Sequence, residues 1–177
     1  MKKIASALLL SAFAASAFAA DQNFYVGGNF GQASTDYANV NSKTGTAFTL
    51  LGGYQVNNNF AVEAQYGNLG SFAPTAGSKA AITQYGVTAV GIWPFNEQWS
   101  AYGKLGFAST SMKIDAGVVQ AAAYTSTKSA VTYGVGGQFN VNQNLGLRFG
   151  YDSYDVGDTT INTAKTTVIS AGVVYKF

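Results

Sequence analysis

The sequence contains no cysteine and no histidine, only two prolines, and only 10% charged residues over 177 positions. Those absences exclude a disulfide framework, a thiol nucleophile, a Cys/His zinc site and any Ser-His or Cys-His catalytic pair. Acyl hydrolysis or transfer, which needs a nucleophile beside a base, is therefore not expected, and no motif asks for a cofactor. Ten cations face eight acids without a basic patch, so nucleic acid is not an expected partner. Beyond residue 20 no apolar run approaches the roughly twenty residues of a transmembrane helix. What is abundant is glycine, at 21 residues, and aromatics, at 12 Phe, 11 Tyr and 2 Trp. A water-facing surface built from this mixture would be short of charge.

The first nineteen residues read as a secretory leader. Lys2 and Lys3 form a basic start, Ile4 to Ser16 is an apolar and small-residue run, and Ala17-Phe18-Ala19 is a small-x-small cleavage site. The run is too short to span a bilayer comfortably as an anchor. Residues 1–19 are thus expected to be a signal peptide, with residues 20–177 as one domain. Cleavage would leave eight cations against eight acids.

The remaining chain alternates with period two, segment after segment. Phe24, Val26, Gly28, Phe30 and then Phe48, Leu50, Gly52, Tyr54, Val56 open the series, which closes with Ile169, Ala171, Val173, Tyr175, Phe177. Eight such segments are found, and their apolar phase carries neither a charge nor an amide. The other phase holds Asn29, Thr49, Glu63, Gln65, Thr88, Lys104, Gln138, Arg148 and many glycines.

A sheet with one apolar and one polar face suits either a soluble lipocalin-like barrel or a membrane barrel turned the other way. Turned inward, the apolar phase would force bulky rings into a narrow lumen from both ends of nearly every strand. Turned outward, it forms two belts. Phe30, Phe48, Tyr66, Tyr85, Phe107, Tyr133 and Tyr151 collect at one rim, and Phe24, Tyr54, Phe60, Trp93, Trp99, Phe139, Tyr175 and Phe177 at the other. Two aromatic girdles flanking small and aliphatic residues are what an outer-membrane barrel presents to lipid.

Connections alternate in length. Long gaps at about 34–45, 70–79, 110–129 and 152–165 alternate with short ones at 57–59, 94–98 and 140–144. The expected fold is an all-β, eight-stranded antiparallel up-and-down transmembrane β-barrel with short periplasmic turns and long extracellular loops, in the outer membrane of a Gram-negative bacterium. Closure removes the unpaired edges that lipid does not tolerate.

Four stretches carry a family resemblance: Asn23-Phe24-Tyr25-Val26-Gly27-Gly28-Asn29-Phe30-Gly31, Gly52-Gly53-Tyr54-Gln55-Val56, Phe60-Ala61-Val62-Glu63-Ala64 and Tyr102-Gly103-Lys104-Leu105-Gly106. In this order and spacing they resemble the eight-stranded transmembrane domain of outer-membrane protein A and related opacity-type, porin-family surface proteins. Larger members of that group append a peptidoglycan-binding domain; this sequence ends with the eighth strand, so that role is not expected. The closing Val173-Val174-Tyr175-Lys176-Phe177 resembles the signal of outer-membrane proteins. The resemblance implies that Val173, Tyr175 and Phe177 are read by the barrel-assembly machinery through strand addition, although Phe177 also fits the girdle alone.

Glu63 is a lone acid on the inward phase and needs a cation, for which Lys104 and Arg148 are the mid-strand candidates. Similar proteins place a carboxylate with inward Lys and Arg where a salt bridge blocks or gates a passage. A plug is favoured over a gate, since eight-stranded interiors are usually filled. In the final long gap, Asp152, Asp155 and Asp158 form a three-acid cluster that reads as a solvated loop rather than a cation site, since it lacks the glycine and terminal Glu of a calcium loop. Three roles stand: a structural surface barrel, a narrow gated pore for small solutes, and an adhesin or receptor whose loops meet a host or phage ligand. Expected partners are outer-membrane lipid, lipopolysaccharide, and the secretion and assembly machinery. The uniformly apolar outward phase favours a monomer.

Overall fold

Alternation of bulky apolar residues with glycine and small polar ones commits each segment to an extended conformation that presents two unlike faces. The computed structural model, which describes residues 23–37, 40–72, 79–115, 124–155 and 165–177, contains eight strands. They are β1 (Phe24–Tyr37), β2 (Val40–Asn57), β3 (Phe60–Phe72), β4 (Lys79–Pro94), β5 (Trp99–Asp115), β6 (Tyr124–Asn140), β7 (Leu145–Asp155) and β8 (Lys165–Lys176). Each pairs antiparallel with its sequence neighbour, and β1 also pairs with β8, so the sheet closes into an up-and-down barrel without free edges.

The apolar phase faces outward. Phe30, Val87, Leu105, Phe107 and Ile169 are all more than half exposed, a surface that water would not tolerate and that acyl chains solvate. Belt residues meet across strands: Phe24 against Tyr54 with ring centres 4.8 Å apart, Trp99 against Phe139 at 4.8 Å, and Tyr175 edge-on to Phe177 at 5.4 Å. At the other rim Phe30 is in register with Phe48, and Tyr66 with Tyr85. The indole of Trp93 lies on the lipid-facing side against Gly91 and Gly103, covering backbone that neither glycine shields.

The three periplasmic turns share one device, an asparagine carboxamide that accepts backbone N–H groups just ahead of it. Asn57 Oδ1 accepts from Asn59 N, Asn96 Oδ1 from Gln98 N and Trp99 N, and Asn142 Oδ1 from Asn144 N and Leu145 N.

Strands at the opposite end run further than their apolar alternation. The long gaps read as 34–45 and 110–129 are mostly strand, those at 70–79 and 152–165 are strand at their ends, and 38–39, 73–78, 116–123 and 156–164 lie outside the described residues. Ser, Thr and Gly there mimic turn composition, but neighbouring backbone continues the ladder, with Thr35 and Thr166 joined by a buried hydrogen bond at 2.9 Å. Residues 108–115 of β5 carry the ladder roughly 26 Å past Phe107, at about 3.3 Å per residue.

Candidate functional site

The second phase of the strands fills the lumen, and its chemistry is layered. β4 shows the order in one column: Ile82, Gln84, Gly86, Thr88, Val90 and Ile92 run inward-facing from the outer rim toward the periplasm.

The layer nearest the periplasm is built on a buried ion pair. Arg148 on β7 donates from Nη1 to Glu63 Oε1 on β3, and Tyr25 on β1 donates its hydroxyl to the same oxygen at 2.7 Å. The guanidinium is held flat by Gln138 Oε1, which accepts from Nε at 3.2 Å and Nη2 at 3.1 Å. It lies 4.8 Å from the ring centre of Tyr102 and 5.7 Å from that of Tyr25, where two quadrupoles add to the charge compensation.

One step outward, Lys104 on β5 pairs with Asp152 on β7 at 2.7 Å. The two residues share a register row with Gly134 on β6 between them, and a Cβ at Gly134 would collide with the Asp152 carboxylate. The same geometry recurs at Gly53, which lies between Tyr25 and Glu63 in register and would meet the Tyr25 ring if it carried a Cβ. Inward glycines are thus the spaces over which long polar side chains reach two strands away.

Beside and above these pairs are buried polar atoms without a protein partner: Glu63 Oε2, both amide atoms of Gln84, Thr88 Oγ1 and Asn29 Oδ1. Groups of this kind are satisfied by ordered water. Above them lies an apolar septum of Ala33, Ala47, Leu69, Ile82, Ala108, Tyr154 and Val168, all buried and drawn from seven of the eight strands. The eighth strand places Ala130 opposite Ala108 in register.

Sequence reasoning placed Glu63, Lys104 and Arg148 together in the lumen, and all three are buried there. Their close ion pairs are two, Arg148 with Glu63 and Lys104 with Asp152, because Asp152 faces inward from β7 instead of belonging to a solvated loop. Asp155 ends β7 and Asp158 lies outside the described residues, so the three-acid cluster loses its first member to the lumen. Among the described residues no three acids come together in a group that could hold a metal ion. Tyr25, Tyr102 and Tyr154 were missed as lumen residues, and Gln138, expected on the inward phase, had no expected role as the partner of Arg148. The tyrosines occupy the non-belt phase, a signal visible in Phe24-Tyr25-Val26 and Ala101-Tyr102-Gly103.

The model of the outer membrane protein beta-barrel domain matches residues 5–177. The chain belongs to this family. No curated protein matches it in sequence. Among solved structures it is similar to the Neisserial surface protein A, at 18% identity, with a TM-score of 0.76 over 88% of this chain and 97% of that one. It is also similar to Ail, the attachment invasion locus protein of Yersinia pestis, at 22% identity and a TM-score of 0.65, covering 87% and 97%. Outer membrane protein OprG of Pseudomonas aeruginosa follows at 14% identity and 0.59, covering 87% and 95%. At these identities the likeness is one of fold. Family and fold together make this an integral outer-membrane barrel of a Gram-negative bacterium.

Proposed function

We propose that this family member is a structural surface barrel whose lumen is closed to solutes. The observation that carries the reading is the stacking of two unlike barriers in one lumen: the Glu63–Arg148 and Lys104–Asp152 pairs, and the apolar septum above them. Each layer opposes passage by itself: the paired side chains fill the lumen, and an apolar constriction opposes water and ions alike. Rearranging the ion pairs alone would leave the septum in place, which favours a plug over a gate. Residues 1–19 act as the cleaved leader in this reading. Val173 and Tyr175, exposed on the lipid-facing phase, together with the terminal Phe177, serve as the strand presented to the assembly machinery. The girdles seat the barrel among phospholipid and lipopolysaccharide as a monomer.

The test is swelling of vesicles reconstituted with the refolded chain in isotonic solutions of small sugars and amino acids. Protein-bearing vesicles are expected to swell no faster than empty ones, and swelling that scales with protein content would contradict closure.

A second reading, ligand binding by the extracellular ends, is favoured by the length of strand that β5 and β6 carry past the girdle. Deleting residues 116–123 should then abolish adhesion to host cells or phage adsorption while leaving the barrel's heat-modifiable gel migration intact. Unchanged adhesion and adsorption would sink this reading.

A further inference from the structure

Beneath the Arg148 layer the barrel opens into a vestibule of about 420 Å³, walled by the lower strands and the periplasmic turns. We infer that this vestibule binds a small free oxyanion, such as inorganic phosphate or a carboxylate, on the ammonium of Lys176.

The argument begins with charge that the protein leaves uncompensated. Lys176, the last residue of β8, points into the vestibule, is half-buried, and donates to Gln55 Oε1 at 3.1 Å. Its partner is thus a neutral amide, and among the described residues it forms no ion pair with a carboxylate. Withdrawing an ammonium from water is costly unless an opposite charge joins it. Arg148 forms the roof of the same vestibule. Glu63 balances that guanidinium from above, yet each of its Nη atoms uses only one of two protons in the bonds described. The acids that could oppose an anion are few. Glu63 is held by Arg148 and Tyr25, and Glu97, which lines the vestibule, is exposed and forms no ion pair among the described residues.

The neutral lining suits the same ligand. Gln55 accepts from Lys176 through Oε1, its Nε2 has no hydrogen-bond acceptor among the described residues, and Ser100 contributes a hydroxyl. An oxyanion seated here would take charge-assisted bonds from Lys176 and neutral bonds from these donors. The vestibule opens only toward the periplasm if the lumen is closed above, but the site itself does not depend on that closure.

The test uses the refolded chain lacking residues 1–19 in octyl glucoside micelles, whose headgroup carries no charge or phosphate. Backbone amide resonances are followed during titration with sodium phosphate, and with sodium chloride at matched ionic strength. Saturable shifts at Gln55, Ser100 and Lys176 are expected with phosphate alone. Lys176→Gln should weaken them about tenfold or more, the loss of one charge-assisted bond. Lys165→Gln, at the far end of β8, should leave them unchanged. Gln55→Glu offers a second route: it places a carboxylate beside Lys176 and should abolish phosphate binding while retaining heat-modifiable migration. Absence of saturable shifts, equal shifts with chloride, or indifference to both Lys176→Gln and Gln55→Glu would overturn the site. A further arm adds anionic phospholipid to the micelles; shifts produced by lipid and not by free phosphate would also overturn it.

Discussion

Asp152 on β7 reaches Lys104 on β5 at 2.7 Å by passing over Gly134, the residue that separates them in the register of β6. The ion pair therefore depends on a third residue with no side chain. Gly134→Val is expected to push the Asp152 carboxylate away and to destabilise the barrel by about 3–5 kcal/mol, the range for separating a buried pair. Gly137→Ala, on the same strand but where an added Cβ would meet only Ser100 O at 3.8 Å, should change stability by less than about 0.5 kcal/mol. Urea unfolding in lipid vesicles measures both.

Two pairs, rather than one triad, make a distinct energetic pattern. Double-mutant cycles with neutral replacements should give couplings of up to about 3 kcal/mol for Glu63 with Arg148 and for Lys104 with Asp152, and below about 1 kcal/mol for Glu63 with Lys104. Equal couplings in all three would restore the triad.

How far the sequence could be read depended on what each residue signals. Phase and girdles were legible because bulky residues such as Phe30, Leu105 and Ile169 recur on one face with period two, which lipid contact enforces. Glu63, Lys104 and Arg148 stand out as charges on the opposite phase. Asp152 does not, since Asp152-Ser153-Tyr154-Asp155 has turn composition and the apolar alternation stops at Tyr151; β7 continues past it, and the same phase that turns Arg148 inward turns Asp152 inward. The septum was illegible for another reason. Ala33, Ala47 and Ala108 are individually unremarkable, and only the register of seven strands collects them with Leu69 and Ile82 into a layer.

The outward phase makes its own prediction. Leu105 is 61% exposed on the belt-bounded surface, so Leu105→Lys should cost about 2–4 kcal/mol, as for a cation near the bilayer midplane. Ser109, beyond Phe107 and bonded to Ser129 at 2.6 Å, lies at the polar margin; Ser109→Lys should cost roughly 0–1 kcal/mol. Equal costs for the two would contradict the assigned membrane position. Unfolding titrations in vesicles provide the comparison.

The septum and ion layer should fail only together. Ile82→Ser with Leu69→Ser wets the septum and leaves the salt bridges, while Glu63→Gln breaks the lower pair and leaves the septum. Vesicle permeability to small ions is expected to stay at the empty-vesicle level for either change alone and to rise for the combination. A rise with Glu63→Gln alone would show that the ionic layer is the sole barrier.

Closure of the lumen is tested most directly by planar-bilayer recording of the refolded chain beside Glu63→Gln. No steady single-channel conductance is expected from either protein. Reproducible unitary steps from the unmodified chain would contradict a sealed barrel.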